Sequence, residues 1–137
     1  MWWIYALLSA LFASLTAIFA KVGIKGVDSD LATAIRTVII LVMAWLIVFF
    51  KGSNQSIASL TKYNILFICL SGVATGLSWI FYFKALQIGK VSQVAPVDKL
   101  SVALTILLSV IILKEVLTFK MAIGAILIIT GTIVLIL

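Results

Sequence analysis

The chain has 137 residues, of which 65% are hydrophobic and 10% charged, with a mean hydropathy of +1.37 and a net charge of +6. Soluble domains run at about 45–50% apolar and 25% charged residues, so this composition excludes an ordinary globular domain. The sequence holds no histidine and a single cysteine, which argues against a His-dependent hydrolase, a metal centre or a disulfide framework. Its 10 basic residues are scattered singly through the chain, an arrangement that does not suit nucleic acid.

A spanning helix needs about 18 or more apolar residues, because the hydrocarbon core is about 30 Å thick. Five windows meet that length, at about 2–22, 30–50, 64–86, 92–113 and 118–137. The expected fold is therefore all-α: a polytopic membrane protein with one domain over residues 1–137 and five transmembrane helices. The first window, MWWIYALLSALFASLTAIFA, lacks the basic start of a signal peptide and is too long for its apolar region. Trp2, Trp3 and Tyr5 suit the headgroup boundary, so this segment reads as a retained first helix. Tyr5, Ser9 and Thr16 share one of its faces.

The second window carries Thr33, Arg36 and Thr37 in its first two turns. In the third, Ser71, Thr75, Ser78 and Tyr82 form a polar stripe, Trp79 lies beside it, and Gly72 and Gly76 make a small-xxx-small pair. Cys69 lies in the same window and reads as apolar filler. The fourth window has Asp98, Ser101, Thr105 and Ser109 at helical spacing. The fifth holds Gly124 and Gly131 one heptad apart, the pattern of a contact helix that forms a dimer seam. Thr118 is placed to cap that helix, and Glu115 just before it suits the positive end of the macrodipole.

Serine and threonine stripes have two readings. Their hydroxyls either line a shared polar interior or bond their own backbone while allowing close helix packing. Ionic residues favour the interior. Arg36 and Asp98 each lie about six residues into helices that start on the same side, roughly 9 Å deep. A charge at membrane depth costs at least about 2.5 kcal/mol and usually pairs or faces a cavity. Asp98 is thus expected to face Arg36, with Lys84 near the same level. Lys99 is rotated about 100° from Asp98 on a helix, so it is expected to snorkel outwards or to enter a second polar lining. Pro96 leaves two options, a kink beside Asp98 or a place in the first helical turn.

Orientation follows the lysine and arginine bias of short loops. One side has Lys51, Lys62, Lys114 and Lys120, and the other Lys21, Lys25, Lys84 and Lys90, an even balance. Dual insertion with an antiparallel homodimer accounts for this, as does one orientation set by lysine depth.

The stretch from Phe81 to Leu137 resembles the C-terminal part of an EamA-type repeat, the building block of the drug/metabolite transporter superfamily. The matching features are the KALQIGKVSQVAP turn, the KEVLT junction and the Gly-containing last helix; GVATGLSWIFYFKAL and the first two helices fit more loosely. The last helix is also similar to the dimerisation helix of small multidrug resistance proteins. The resemblance implies a single-repeat transporter in the plasma (inner) membrane of a prokaryote, two copies pairing into a ten-helix antiparallel homodimer. The charged VDKL departs from the uncharged residues more usual in two-repeat members, so their substrates transfer poorly. It implies no enzyme activity and no cofactor. The expected partners are a small-molecule solute, the lipid bilayer and a second copy.

The expected function is a secondary transporter for a small metabolite or drug-like solute, working by alternating access. Arg36 and Lys99 would hold an anionic group, and Asp98 would act as charge partner or proton carrier. Ser78, Trp79 and Tyr82 would shape the pocket, with Ser101 and Thr105 on the same face as Asp98. A lipid or lipid-linked group flippase is one alternative. A non-transporting scaffold or a subunit of a heteromeric transporter is another.

Overall fold

The computed structural model describes residues 1–137 and is all-helical. Six α-helices follow in order: α1 (Trp2–Gly23), α2 (Ser29–Phe50), α3 (Lys62–Ile88), α4 (Val91–Asp98), α5 (Leu100–Ile112) and α6 (Phe119–Ile136). Taken together, α4 and α5 form one membrane-length segment, so five segments are long and apolar enough to cross a bilayer. The spans expected from hydropathy agree to within two residues at every end.

The helix ends follow from local chemistry. Asp28 caps α2, its Oδ1 accepting the backbone N–H groups of Asp30 and Leu31 at 3.0 Å each. Thr118 caps α6 as its position predicts, accepting the N–H of Met121 at 3.3 Å. Helix α2 stops at Gly52, whose φ of 67° takes the left-handed conformation that glycine adopts without penalty. At the end of α5 the same conformation falls on Lys114, with φ 56°. There the N–H of Glu115 reaches back six residues to the carbonyl of Ser109 at 3.2 Å, a carbonyl that also accepts the N–H of Leu113 at 3.0 Å.

Two features depart from the hydropathy pattern. The loop after α2 holds a 3-10 helix over Ser53–Ser59 that packs against α2. The fourth span is interrupted at Lys99, which answers the question Pro96 raises. Pro96 is the sixth residue of α4 rather than part of its first turn. The chain tightens three residues later, where the Lys99 N–H bonds the Pro96 carbonyl at 3.0 Å and Val102 bonds Lys99 at 3.0 Å. Both are three-residue spacings, as in a 3-10 turn.

The chain divides into two units, Phe19–Gln87 and Met1–Ile18 with Ile88–Leu137. In the first, Ile24, Ser29, Thr33, Phe83 and Leu86 are buried. In the second, α4 and α5 both pack on α6, and Ala17 and Thr132 are buried. Three of these seven buried side chains are hydroxyls. That inverts the soluble pattern for a reason. Lipid is as apolar as leucine, so small polar residues join the helices while the large aliphatic side chains face outwards.

Candidate functional site

The unit Phe19–Gln87 builds a cation site from two helix faces. With Asp28 fixing its start, α2 turns Ser29, Thr33 and Arg36 towards one side, and α3 presents Trp79 and Phe83 four residues apart. The Arg36 guanidinium carbon sits 4.2 Å from the Trp79 ring centroid and 5.0 Å from that of Phe83. Stacking of this kind stabilises a desolvated cation by about 2 kcal/mol. It does not satisfy the N–H groups. Nη1 of Arg36 is buried and has no hydrogen-bond partner. A guanidinium carries five donors in a planar fork suited to carboxylate or phosphate, and a buried unpaired donor is costly. The arrangement is a stacked, partly desolvated cation with one donor left unpaired.

The platform is fixed at its loop end. Lys21 donates to the carbonyl of Leu86, and Gln87 Nε2 donates to the carbonyl of Val27 at 2.9 Å. The first bond satisfies a carbonyl in the last turn of α3 with a cation, the favourable sign for a helix C-terminus. The two bonds tie the end of α3 to the last turn of α1 and to the connection between α1 and α2. Tyr82 is half-buried and meets Phe83 edge-on, with centroids 6.3 Å apart. Ser78 is exposed and neighbours Trp79 in sequence.

In the other unit, the break at Lys99 creates an ion pair. Lys99 Nζ lies 3.2 Å from Asp98 Oδ2, with the lysine side chain 58% and the aspartate 33% exposed. This corrects the expectation that Lys99 turns away from Asp98. The 100° separation is a backbone angle, and at the turn on Lys99 the long lysine stem reaches back across it to the carboxylate. The charges expected to seek each other thus have partners of their own: Lys99 for Asp98, aromatic faces for Arg36.

The hydroxyl stripes resolve mainly as backbone bonding. Thr105 donates to the carbonyl of Ser101, Thr75 to that of Ser71, Thr33 to that of Ser29 and Thr37 to that of Thr33, all at 2.8 Å. Ser101 is exposed on the turn after Asp98. One hydroxyl acts between helices instead. Thr132, buried in α6, donates to the carbonyl of Pro96 in α4 at 3.3 Å, at the carbonyl that also closes the Lys99 turn.

Phe83, Lys21, Gln87 and Thr132 are the site residues that sequence reasoning missed. Phe83 was within reach, four residues from Trp79 on the same face. Lys21, Gln87 and Thr132 bond carbonyls distant in the chain, and periodicity carries no sign of such bonds.

Residues 1–137 match the model of the EamA-like transporter family. The chain belongs to that family. It is 45% identical over 134 residues to an uncharacterized transporter in the cobO 3' region of a Sinorhizobium species, covering 98% of this chain and 95% of the relative. It is also 34% identical over 133 residues to an uncharacterized protein of Methanocaldococcus jannaschii, covering 96% of this chain and 93% of that one. No solved structure matches. Membership in the EamA-like family, with five membrane-length segments, establishes an integral membrane protein with a transporter role.

Proposed function

We propose that the protein is a secondary transporter that carries a small anionic solute across a prokaryotic inner membrane by alternating access. Arg36 carries the reading: it is desolvated on an aromatic platform and retains a buried donor with no partner. The solute's anionic group takes that donor. Trp79 and Tyr82 form the walls that exclude water, and Ser78 supplies a hydroxyl. Asp98 acts as the coupling carboxylate. Protonation neutralises it, releases Lys99, and frees the α4–α5 break to change its angle. Lys99 then offers its charge to the passing anion. Ser101 and Thr105 provide acceptor oxygens beside the released ammonium.

The test is a panel of small carboxylates, phosphates, cations and neutral solutes added to the protein in detergent. A ligand that binds only the folded state raises its melting temperature. Stabilisation by anions, followed by counterflow of the same solutes in proteoliposomes, is the expected result. Stabilisation by cations alone, or lipid scrambling with no solute counterflow, overturns it.

The working unit in this proposal is an antiparallel homodimer of ten helices. Three features support it: a single five-helix repeat, the even lysine balance, and the open glycines of α6. A β-carbon built at Gly124 or Gly131 meets nothing within 4 Å, so neither glycine is used to pack this chain against itself. Both remain available to a seam. A reporter fused to the C-terminus should be found on both sides of the membrane. Confinement of every copy to one side rules out the antiparallel arrangement.

A further inference from the structure

We propose that the 3-10 helix after α2 forms, with the end of α2, a binding cleft for one acyl chain of an anionic phospholipid. The cleft has a volume of about 290 Å³. Leu41 and Trp45 of α2 face Ile57 and Leu60 across it, and Ser53 and Ser56 are its polar lining residues. Its walls are otherwise apolar. The Trp45 ring is held against Phe49 with centroids 5.6 Å apart. Gly52, in its left-handed conformation, reverses the chain so that the 3-10 helix lies back on α2.

Depth selects an acyl chain over a soluble ligand. At 1.5 Å per residue, Leu41 lies roughly 14 Å further into the membrane than Phe50 at the end of α2. Ser53 and Ser56 follow that end in the chain, so with α2 spanning the bilayer they fall on its headgroup side. The cleft therefore runs along the membrane normal, apolar at the bottom and hydroxyl-lined at the top, as a phospholipid does.

Charge selects the headgroup. Lys51 precedes the 3-10 helix and Lys62 follows it, both exposed, and no acidic residue occurs between Asp30 and Asp98. Each surface lysine favours an anionic lipid by about fivefold. Ser53, Asn54 and Gln55 are exposed, which places their polar groups within reach of phosphate and glycerol oxygens. The inference rests on the membrane placement of α2 and is independent of solute transport.

The experiment uses the full chain in detergent, with phosphatidylglycerol and phosphatidylcholine of identical acyl chains as probes. Melting temperature and the lipid retained after washing, weighed by native mass spectrometry, are the readouts. Phosphatidylglycerol should bind at least about fivefold more tightly than phosphatidylcholine. Ala44→Phe, which fills the cleft wall, and Ser56→Trp, which blocks its mouth from an exposed position, should each abolish retention of the tight lipid. Lys51→Gln with Lys62→Gln should keep one bound lipid but erase the preference between headgroups. Equal binding of the two lipids by the wild type overturns the proposal. So does undiminished phosphatidylglycerol retention in Ser56→Trp, which would reduce the effect to headgroup attraction at the surface. Stabilisation by a short alkane equal to that by phospholipid also overturns it.

Discussion

Asp98→Asn should abolish uptake driven by a pH gradient while leaving solute exchange at equal pH largely intact. Asparagine keeps the shape of aspartate and loses only the ionisable oxygen, so the variant separates proton coupling from solute binding. In the proposed cycle the carboxylate must alternate between paired and protonated forms, and the amide can do neither. Lys99 is then permanently released, as it would be in the protonated wild type, and accumulation against a gradient fails. The structural cost is small. The pair bridges neighbours at a helix break, with Lys99 58% exposed, and exposed pairs of this kind are worth about 0.2–1 kcal/mol. A melting temperature close to that of the wild type, with accumulation lost and exchange retained, is the expected pattern. Wild-type accumulation by Asp98→Asn would remove this carboxylate from the mechanism. Loss of exchange as well would move it from coupling to binding.

Arg36→Met should have the opposite signature: the fold kept or strengthened, and the solute lost. The guanidinium lies on Trp79 and Phe83 with a buried Nη1 that bonds nothing. Methionine fills a similar volume, packs well on aromatic rings and leaves no unpaired donor. Replacing a poorly satisfied buried charge with an apolar side chain is often neutral or stabilising, so the melting temperature without solute should not fall. Binding is another matter. Truncating one partner of a desolvated charge pair costs about 2–5 kcal/mol, which corresponds to solute binding weaker by at least about thirtyfold. Arg36→Lys tests the geometry. It keeps the charge but loses the planar fork and the stacking face, so it should bind at an intermediate level. The measurements are solute-induced melting shifts and the KM for exchange. An Arg36→Met protein with wild-type KM would end the anion-site reading, and one that fails to fold would make Arg36 structural.

These expectations depend on features of unequal visibility in the sequence. Each spanning segment is announced by an apolar run long enough to cross the bilayer, since backbone groups in lipid must be satisfied within their own helix. The cap at Thr118 was equally legible, because a cap is a matter of three or four neighbouring residues. Hydroxyl stripes are less informative for the same reason. Thr75 and Thr105 stand at helical spacing, yet a threonine can reach the carbonyl four residues back without any neighbouring helix, and these two do. A stripe on a wheel gives no measure of whether its hydroxyls are already satisfied.

What the amino-acid order determined by itself is local: five apolar segments, the cap at Thr118, the family, and the place of Arg36 and Asp98 within apolar segments. The tertiary structure decided what those charges meet. It set Arg36 on Trp79 and Phe83, broke the fourth span at Lys99 so that adjacent opposite charges could touch, and laid the 3-10 helix back along α2. The physical reason is range. Hydropathy and helical periodicity act over one or two turns, whereas Lys21 reaches Leu86 and Thr132 reaches Pro96 across separations that no periodic pattern encodes.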